Sequence, residues 1–224
     1  MTGYYADRLA AERLLACYEL APAEVRAYLE AEIDFVLERV SSSSVVLELG
    51  CGYGRVLRRI ARQARAAVGI DTSLTSLRMA RRASWCGSRA RLVAMNAVRM
   101  GFAGRVFDLT ICVQNGVSAF AVDPQELIEE ALRVTRHGGI VLFSSYAAGF
   151  WPHRLRWFEL QAAHGLIGAI DYDATGDGVI VGADGFRATT IGPDGFAELA
   201  SRIGLPARIT EVANSSVFCE FAVP

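Results

Sequence analysis

The chain has no lysine: all 23 basic residues among its 224 are arginines. A Schiff base needs a side-chain primary amine, so pyridoxal-phosphate and lysine-aldolase chemistries are excluded. A phosphate-binding loop ending in Gly-Lys-Ser/Thr is excluded as well. Cysteine is scarce and irregular. Cys17, Cys51, Cys86, Cys112 and Cys219 never stand in Cys-x-x-Cys spacing, which argues against a disulfide framework and against a zinc site, so no metal is expected. Cys112 lies in an apolar run and reads as core filler. Long hydrophobic runs are missing too. The longest, around residues 140–143, falls far short of the roughly 20 residues that span a bilayer. The N-terminal Met1-Thr2-Gly3-Tyr4-Tyr5 lacks the basic and apolar stretches of a secretion signal, so a cytoplasmic protein without a membrane partner is expected. Positive charge is neither in excess nor clustered, with a net charge of −1, which argues against nucleic acid as a partner.

What is present suits one domain with an ordinary core: 52% of the residues are hydrophobic. Val25, Tyr28, Leu29, Ile33, Val36, Leu37 and Val40 recur at helical spacing behind Pro22, and an earlier helix over 6–20 carries Leu9, Leu14, Cys17 and Tyr18. Serines at 41–44 end that pattern. Strands are then predicted at 45–49, 66–70, 91–94, 107–113 and 140–144, with helices at 56–64 and 74–83 between them. Another helix begins with Asp123 as cap, Pro124 in first position and Glu126 closing a capping box; Gly138-Gly139 should stop it. Alternating strands and helices imply a doubly wound α/β fold around a mostly parallel sheet. Beyond it the pattern predicts a helix at 152–164, a hairpin over 178–191 turning at Asp184-Gly185, a helix at 193–203, and strands at 207–213 and 217–223.

In such a sheet, ligands bind beyond the carboxyl ends of the strands. Three strand ends carry suitable groups. Glu48-Leu49-Gly50-Cys51-Gly52-Tyr53-Gly54 places glycines at alternate positions, so the backbone can turn sharply and approach a ligand closely. Asp71 ends the next strand, where a carboxylate can accept both hydroxyl protons of a ribose. Asn96-Ala97 follows the third strand, where an amide can read an adenine edge. A nicotinamide dinucleotide would use similar parts, but its fingerprint is Gly-x-Gly-x-x-Gly. Here the spacing is Gly-x-Gly-x-Gly with Arg55 and Val56 following, and Glu48 suits an ammonium rather than a pyrophosphate.

These motifs, in this order, resemble the class I S-adenosylmethionine (SAM)-dependent methyltransferases. Residues 48–54 match the family's first motif, Val68-Gly69-Ile70-Asp71 the second, Asn96-Ala97 the adenine motif, and Phe107-Asp108-Leu109 the start of its fourth strand. The usual residue at Asn96 is Asp; Asn keeps the acceptor and loses the charge. The resemblance implies a seven-stranded Rossmann-like methyltransferase fold as one domain over 1–224. Within it stand a helical lid (1–40), a SAM-binding core (45–146), an acceptor-side insertion after strand five (150–192), and a closing helix and strand hairpin (193–224). It implies SAM as cofactor and S-adenosylhomocysteine (SAH) as product. Gly50, Gly52 and their neighbours Glu48, Cys51 and Gly54 would hold the methionine part and Asp71 the ribose; Leu74 and Ala97 would flank the adenine, Asn96 would meet its N6, and Thr72 and Val98 would add further cofactor contacts. Tyr5, Tyr18 and Gln114 would complete the cofactor site.

Asn115 follows the fourth strand, where the acceptor meets the methyl group; Asn-Gly also favours a plain turn. Trp151, His153, Trp157, Phe158 and Glu159 lie in the insertion, and His153 or Glu159 could serve as general base. Each also has an ordinary surface or packing role. The expected function is methyl transfer to a small-molecule acceptor by in-line displacement, catalysed mainly by positioning. The alternatives are a SAM- or nucleoside-binding module without catalysis, and an NAD-dependent oxidoreductase. Acceptor atom and oligomeric state are not readable from these residues.

Overall fold

The N-terminal helices α1 (Tyr4–Asp7), α2 (Glu12–Glu19) and α3 (Ala23–Leu37) lead into β1 (Val45–Leu49), a strand of apolar residues and Glu48 that is buried almost throughout. Then α4 (Leu57–Gln63), β2 (Ala66–Asp71), α5 (Leu74–Arg82), β3 (Ala90–Ala94) and β4 (Phe107–Cys112) follow in alternation. A short α6 (Gly116–Ala119) precedes α7 (Pro124–Val134) and β5 (Thr135–Tyr146). After β5 come a 3-10 turn, α8 (Trp151–Ala163), a small ribbon of β6 (Ile180–Val181) and β7 (Arg187–Ala188), then α9 (Pro193–Ile203), β8 (Ala207–Val212) and β9 (Ser216–Ala222). This computed structural model describes residues 4–83, 85, 87 and 89–224. Cys86 and the first three residues of the N-terminal stretch read above lie outside them.

The seven-stranded sheet has the order β3-β2-β1-β4-β5-β9-β8. Strands β1 to β5 pair in parallel, and β9 is inserted antiparallel between β5 and β8. This is the doubly wound, mostly parallel Rossmann-like sheet expected. Strand order reverses at the parallel pair β1/β4, with β2 and β3 added on one side and β5 on the other, so the crevice beyond their carboxyl ends is the natural ligand position. The β8–β9 hairpin turns through Ala213 and Asn214, both at positive φ (51° each), which matches the right-handed twist of the paired strands.

Three local expectations need correction. The N-terminal helix is not continuous over 6–20. It breaks between α1 and α2 at Ala11 (φ 51°), because Leu9 and Ala11 drop into the core and the Ala11 amide donates to Ser76 Oγ at 2.9 Å. Gly138-Gly139 do not stop α7. That helix ends at Val134, and β-branched Thr135 already pairs with Phe107 in the sheet, its hydroxyl 2.7 Å from that of Thr110. The glycines instead form an irregularity inside β5, where the register shifts between Phe107 and Leu109. Finally, the Asn115-Gly116 pair, where a plain turn competed, opens a helix: α6 starts on Gly116 with Asn115 as its N-cap residue.

The Asp123 cap is realised through the Gln125 amide (2.9 Å) rather than the residue after it. Asp123→Ala is expected to lower unfolding free energy by about 1 kcal/mol and the melting temperature by roughly 2–4 °C, measured by calorimetry.

Two further hydrophobic cores flank the sheet. A separate one joins the two segments outside the alternating motif: Leu9, Cys17, Val25 and Tyr28 pack with Phe150, Trp157, Phe158 and Phe186. Trp157 Nε1 donates to Cys17 O (2.8 Å), and Arg13 Nη2 donates to the carbonyls of Gly165 and Leu166 (2.8 Å each). The N-terminal helices and the insertion after β5 therefore hold each other directly above the strand ends. No described helix is long and apolar enough to cross a membrane.

Candidate functional site

The carboxyl ends of β1, β2 and β4 open into one cavity of about 230 Å³. Its floor is Glu48, Gly50, Cys51, Gly52, Asp71, Thr72, Ser73, Asn96, Gln114 and Asn115. Tyr5, Leu9, Leu14, Cys17 and Tyr18 roof it, and Tyr146, Trp157, Phe158 and Gln161 close its far side.

The glycine turn is shaped as its spacing predicts. Gly50 and Gly52 adopt φ of 72° and 54°, and a Cβ on Gly52 would sit 3.3 Å from Leu14 Cδ2. The Gly50 and Cys51 amides donate to Ile70 O (2.9 and 3.0 Å), and the Gly52 amide to Asp71 Oδ2 (2.8 Å). Asp71 Oδ1 accepts from Ser73 N (2.7 Å), which leaves both carboxylate oxygens with spare lone pairs towards the cavity. Burial raises the Asp71 carboxyl above its ordinary value, and the amides of Ser73, Gly52 and Thr72 pull it back down. Ser73 caps α5 through the Ser76 amide, so Asp71 is not needed for that role.

Beside the turn, two groups of opposite sign face the same space without pairing to each other. Glu48 is buried with Oε2 lacking any hydrogen bond, and burial pushes its carboxyl up to about 8; Arg55 draws it down and Asp71 pushes it up. Arg55 lies over the Tyr18 ring at 4.6 Å, and its buried Nε and Nη2 make no hydrogen bond. Its nearest carboxylate contact is Glu30, 4.0 Å from Nη1. Buried guanidinium nitrogens and a buried carboxylate oxygen without hydrogen-bond partners are costly and fit a zwitterionic ligand that touches both.

Of the residues proposed from sequence, Tyr5, Tyr18, Glu48, Gly50, Cys51, Gly52, Asp71, Thr72, Asn96, Gln114 and Asn115 come together on this cavity. Gly54, Leu74, Ala97, Val98, His153 and Glu159 do not line it. Gly54 faces Trp85, where a Cβ would fall 2.3 Å from Cζ2. Leu74 is exposed on α5, and Ala97 is buried in the core. The Val98 amide donates to Asn96 Oδ1 (3.0 Å), which fixes the asparagine and leaves its oxygen a second lone pair. His153 is exposed beside Phe150, a turn ahead of the cavity stripe 157–161 on α8. Glu159 points off that stripe, accepting from the Tyr172 hydroxyl (2.9 Å) and pairing with Arg156. The Asn115 amide is engaged on both sides, donating to Thr189 O (2.9 Å) and accepting from Ser145 Oγ (2.7 Å).

Sequence reasoning passed over Arg55, whose signal was its place directly after the glycine turn. It also passed over Tyr146 and Gln161. The former ends a strand, like the other floor residues, and the latter stands four residues after Trp157 on one helix face.

Residues 46–139 match a family described as a methyltransferase domain. A malonyl-[acyl-carrier protein] O-methyltransferase from Hamiltonella defensa subsp. Acyrthosiphon pisum (strain 5AT) is 30% identical over 129 residues, 56% of this chain and 48% of that protein. The chain thus spans about half the length of that curated relative. Among solved structures, a protein from Pyrococcus horikoshii OT3 superposes with TM-score 0.66 at 20% identity, covering 99% of this chain and 98% of its own. A SAM-dependent methyltransferase from Methanosarcina mazei gives 0.63 at 16% identity (84% and 97%). The N-methyltransferase NodS from Bradyrhizobium japonicum WM9, in complex with SAH, gives 0.59 at 15% (97% and 95%). With its family match over the glycine turn and its strand order, the chain carries a methyltransferase domain over residues 46–139 in a Rossmann-like fold.

Proposed function

We propose that the protein transfers a methyl group from SAM to a small-molecule acceptor and releases SAH. The observation that carries this reading is the Glu48 carboxyl and the Arg55 guanidinium, each with buried polar atoms that make no hydrogen bond, beside Asp71 on one glycine-lined cavity. In this reading Glu48 receives the α-ammonium, Arg55 the α-carboxylate, Asp71 the ribose hydroxyls and Asn96 the adenine edge. The same arrangement opposes a dinucleotide, because a pyrophosphate at the turn would face the Glu48 carboxylate.

SAM supplies a methyl group on a sulfonium, an already excellent leaving group. The chain's own residues have to position the acceptor in line and keep water out. The N-terminal helices act as a lid, with Tyr5 and Tyr18 in the roof and the Trp157–Cys17 bond as its latch. Among the described cavity residues there is no histidine, and the only carboxylates are Glu48 and Asp71. An acceptor with a free lone pair at working pH, or one already ionised, suits such a site. The enclosed aromatic walls favour a small molecule over nucleic acid.

Calorimetry with SAM, SAH and NAD is the direct test. Binding of SAM and SAH but not NAD is expected; NAD binding without SAH binding returns the site to an oxidoreductase. Turnover of tritiated-methyl SAM over a panel of small carboxylic acids, phenols, thiols and amines separates an enzyme from a non-catalytic binding module.

Glu48 adds a pH signature. Its carboxyl is raised to about 8 in the free protein. A bound ammonium favours the ionised form, so binding below that pH expels a proton. SAH affinity should therefore rise as pH goes from about 6 to 8, by at most about tenfold per unit, with proton release visible in buffers of different ionisation enthalpy. Glu48→Gln should flatten the profile.

A further inference from the structure

We propose that Glu32, on α3, is a positioning residue for the acceptor side of the site, its carboxylate fixing the Gln114–Asn115 turn at the end of β4. The proposal rests on the methyltransferase reading for the word acceptor, and on geometry for the rest. Gln114 and Asn115 both adopt left-handed backbone angles, φ 60° and 56°. Asparagine tolerates that region; glutamine rarely does, and two such residues in a row need an outside hold. The hold comes from several elements. Asn115 is gripped by Ser145 and by Thr189 of the insertion. The Gln114 amide donates to two acceptors at once, Glu32 Oε2 at 2.6 Å and Ser144 Oγ at 2.9 Å.

Ser144 alone would satisfy that amide, so the carboxylate is not there to fill a vacant bond. Glu32 is fully buried, with the Tyr28 and Ser216 hydroxyls beside its carboxylate and no cation to balance it. A buried acid under these conditions is expensive for packing alone. What it adds over Ser144 is a short, charge-assisted bond that ties α3 rigidly to two residues lining the cavity. Facing Glu32 are Tyr28 on its own helix, Cys112 on β4, Ser144 and Tyr146 on β5 and Ser216 on β9, none of them a cation. Burial lifts its carboxyl to about 7, against the hydrogen bonds that favour ionisation. The strength of the hold thus follows pH near neutrality.

The test uses the full chain, nitrogen-labelled, and two probes. SAH reads the cofactor subsite. Sinefungin carries an amine-bearing carbon where SAM carries its methylated sulfur, and so reads the space beside the turn. The Gln114 amide proton should lie downfield and titrate with a midpoint near pH 7. In Glu32→Gln that titration should vanish. The sinefungin-to-SAH affinity ratio should change by about tenfold while SAH affinity stays within about threefold. An amide that ignores both pH and the substitution overturns the proposal. So does an equal loss for both probes, which marks Glu32 as a support of the fold only. If Glu32→Gln does not fold, Ser144→Ala leaves Glu32 as sole acceptor, and the amide should move further downfield; no movement overturns the proposal. If the wild type binds no SAH, the methyltransferase reading fails, and the amide titration decides by itself whether Glu32 holds the turn.

Discussion

Asp71→Ala should cut SAM and SAH affinity by roughly ten- to over a hundred-fold, equivalent to about 1.5–3 kcal/mol of charged hydrogen bonds. Two losses combine in this one substitution. The ribose hydroxyls lose the acceptors whose spare lone pairs face the cavity. The glycine turn loses the Asp71 Oδ2 acceptor at the Gly52 amide (2.8 Å), which fixes the backbone over which the methionine part lies. Asp71→Asn separates them. It keeps an acceptor for the Gly52 amide but removes the charge, so it should recover part of the affinity, and the turn should stay in place. Calorimetry on the three proteins, with amide exchange at Gly52, decides between the two contributions. If Asp71→Ala binds SAH as tightly as the wild type, Asp71 is a turn residue and not a ribose ligand.

Much of the floor of the cavity was legible because it depends on local sequence. Gly50 and Gly52 are needed where φ is positive, Asp71 ends a strand of apolar residues, and Asn96 and Gln114 each follow one. Periodicity places strand ends, and the doubly wound topology brings strand ends together. What was not legible depends on contacts across long separations. The break at Ala11 is set by Ser76, 65 residues away. The end of α7 is set by Thr135 pairing with Phe107 across the sheet; the Gly138-Gly139 pair, a local stop signal, was overridden. Gly54 belongs to the motif by spacing, yet its missing side chain makes room for Trp85 and not for a ligand. His153 and Glu159 have the chemistry of a base, but the rotation of α8 that decides which residues face the cavity is fixed by Trp157 reaching Cys17, 140 residues earlier. Glu32 carried no signal at all, since one acid in an amphipathic helix reads as solvent-facing until the tertiary fold buries it.

Arg55→Met should weaken SAM and SAH binding by roughly ten- to over a hundred-fold while leaving 5′-methylthioadenosine binding unchanged. Methylthioadenosine shares the adenosine part and lacks the amino-acid end, so the comparison isolates the carboxylate contact. Methionine preserves most of the apolar stem that packs over Tyr18, where the guanidinium now sits 4.6 Å from the ring centre. An equal loss for all three ligands would assign Arg55 to holding the roof and not to holding the cofactor. The free protein should respond with the opposite sign. Arg55 keeps buried Nε and Nη2 without partners, and its contact with Glu30 at 4.0 Å involves a half-exposed acid and contributes little. Removing a part-buried guanidinium whose Nε and Nη2 lack hydrogen bonds relieves desolvation that the ligand would offset, so ligand-free Arg55→Met should melt no lower than the wild type and gain less on adding SAH. Weaker binding together with an unharmed apoprotein is the pattern of a residue kept for its ligand. Weaker binding together with a lower melting temperature would instead make Arg55 part of the packing between α4 and the N-terminal helices.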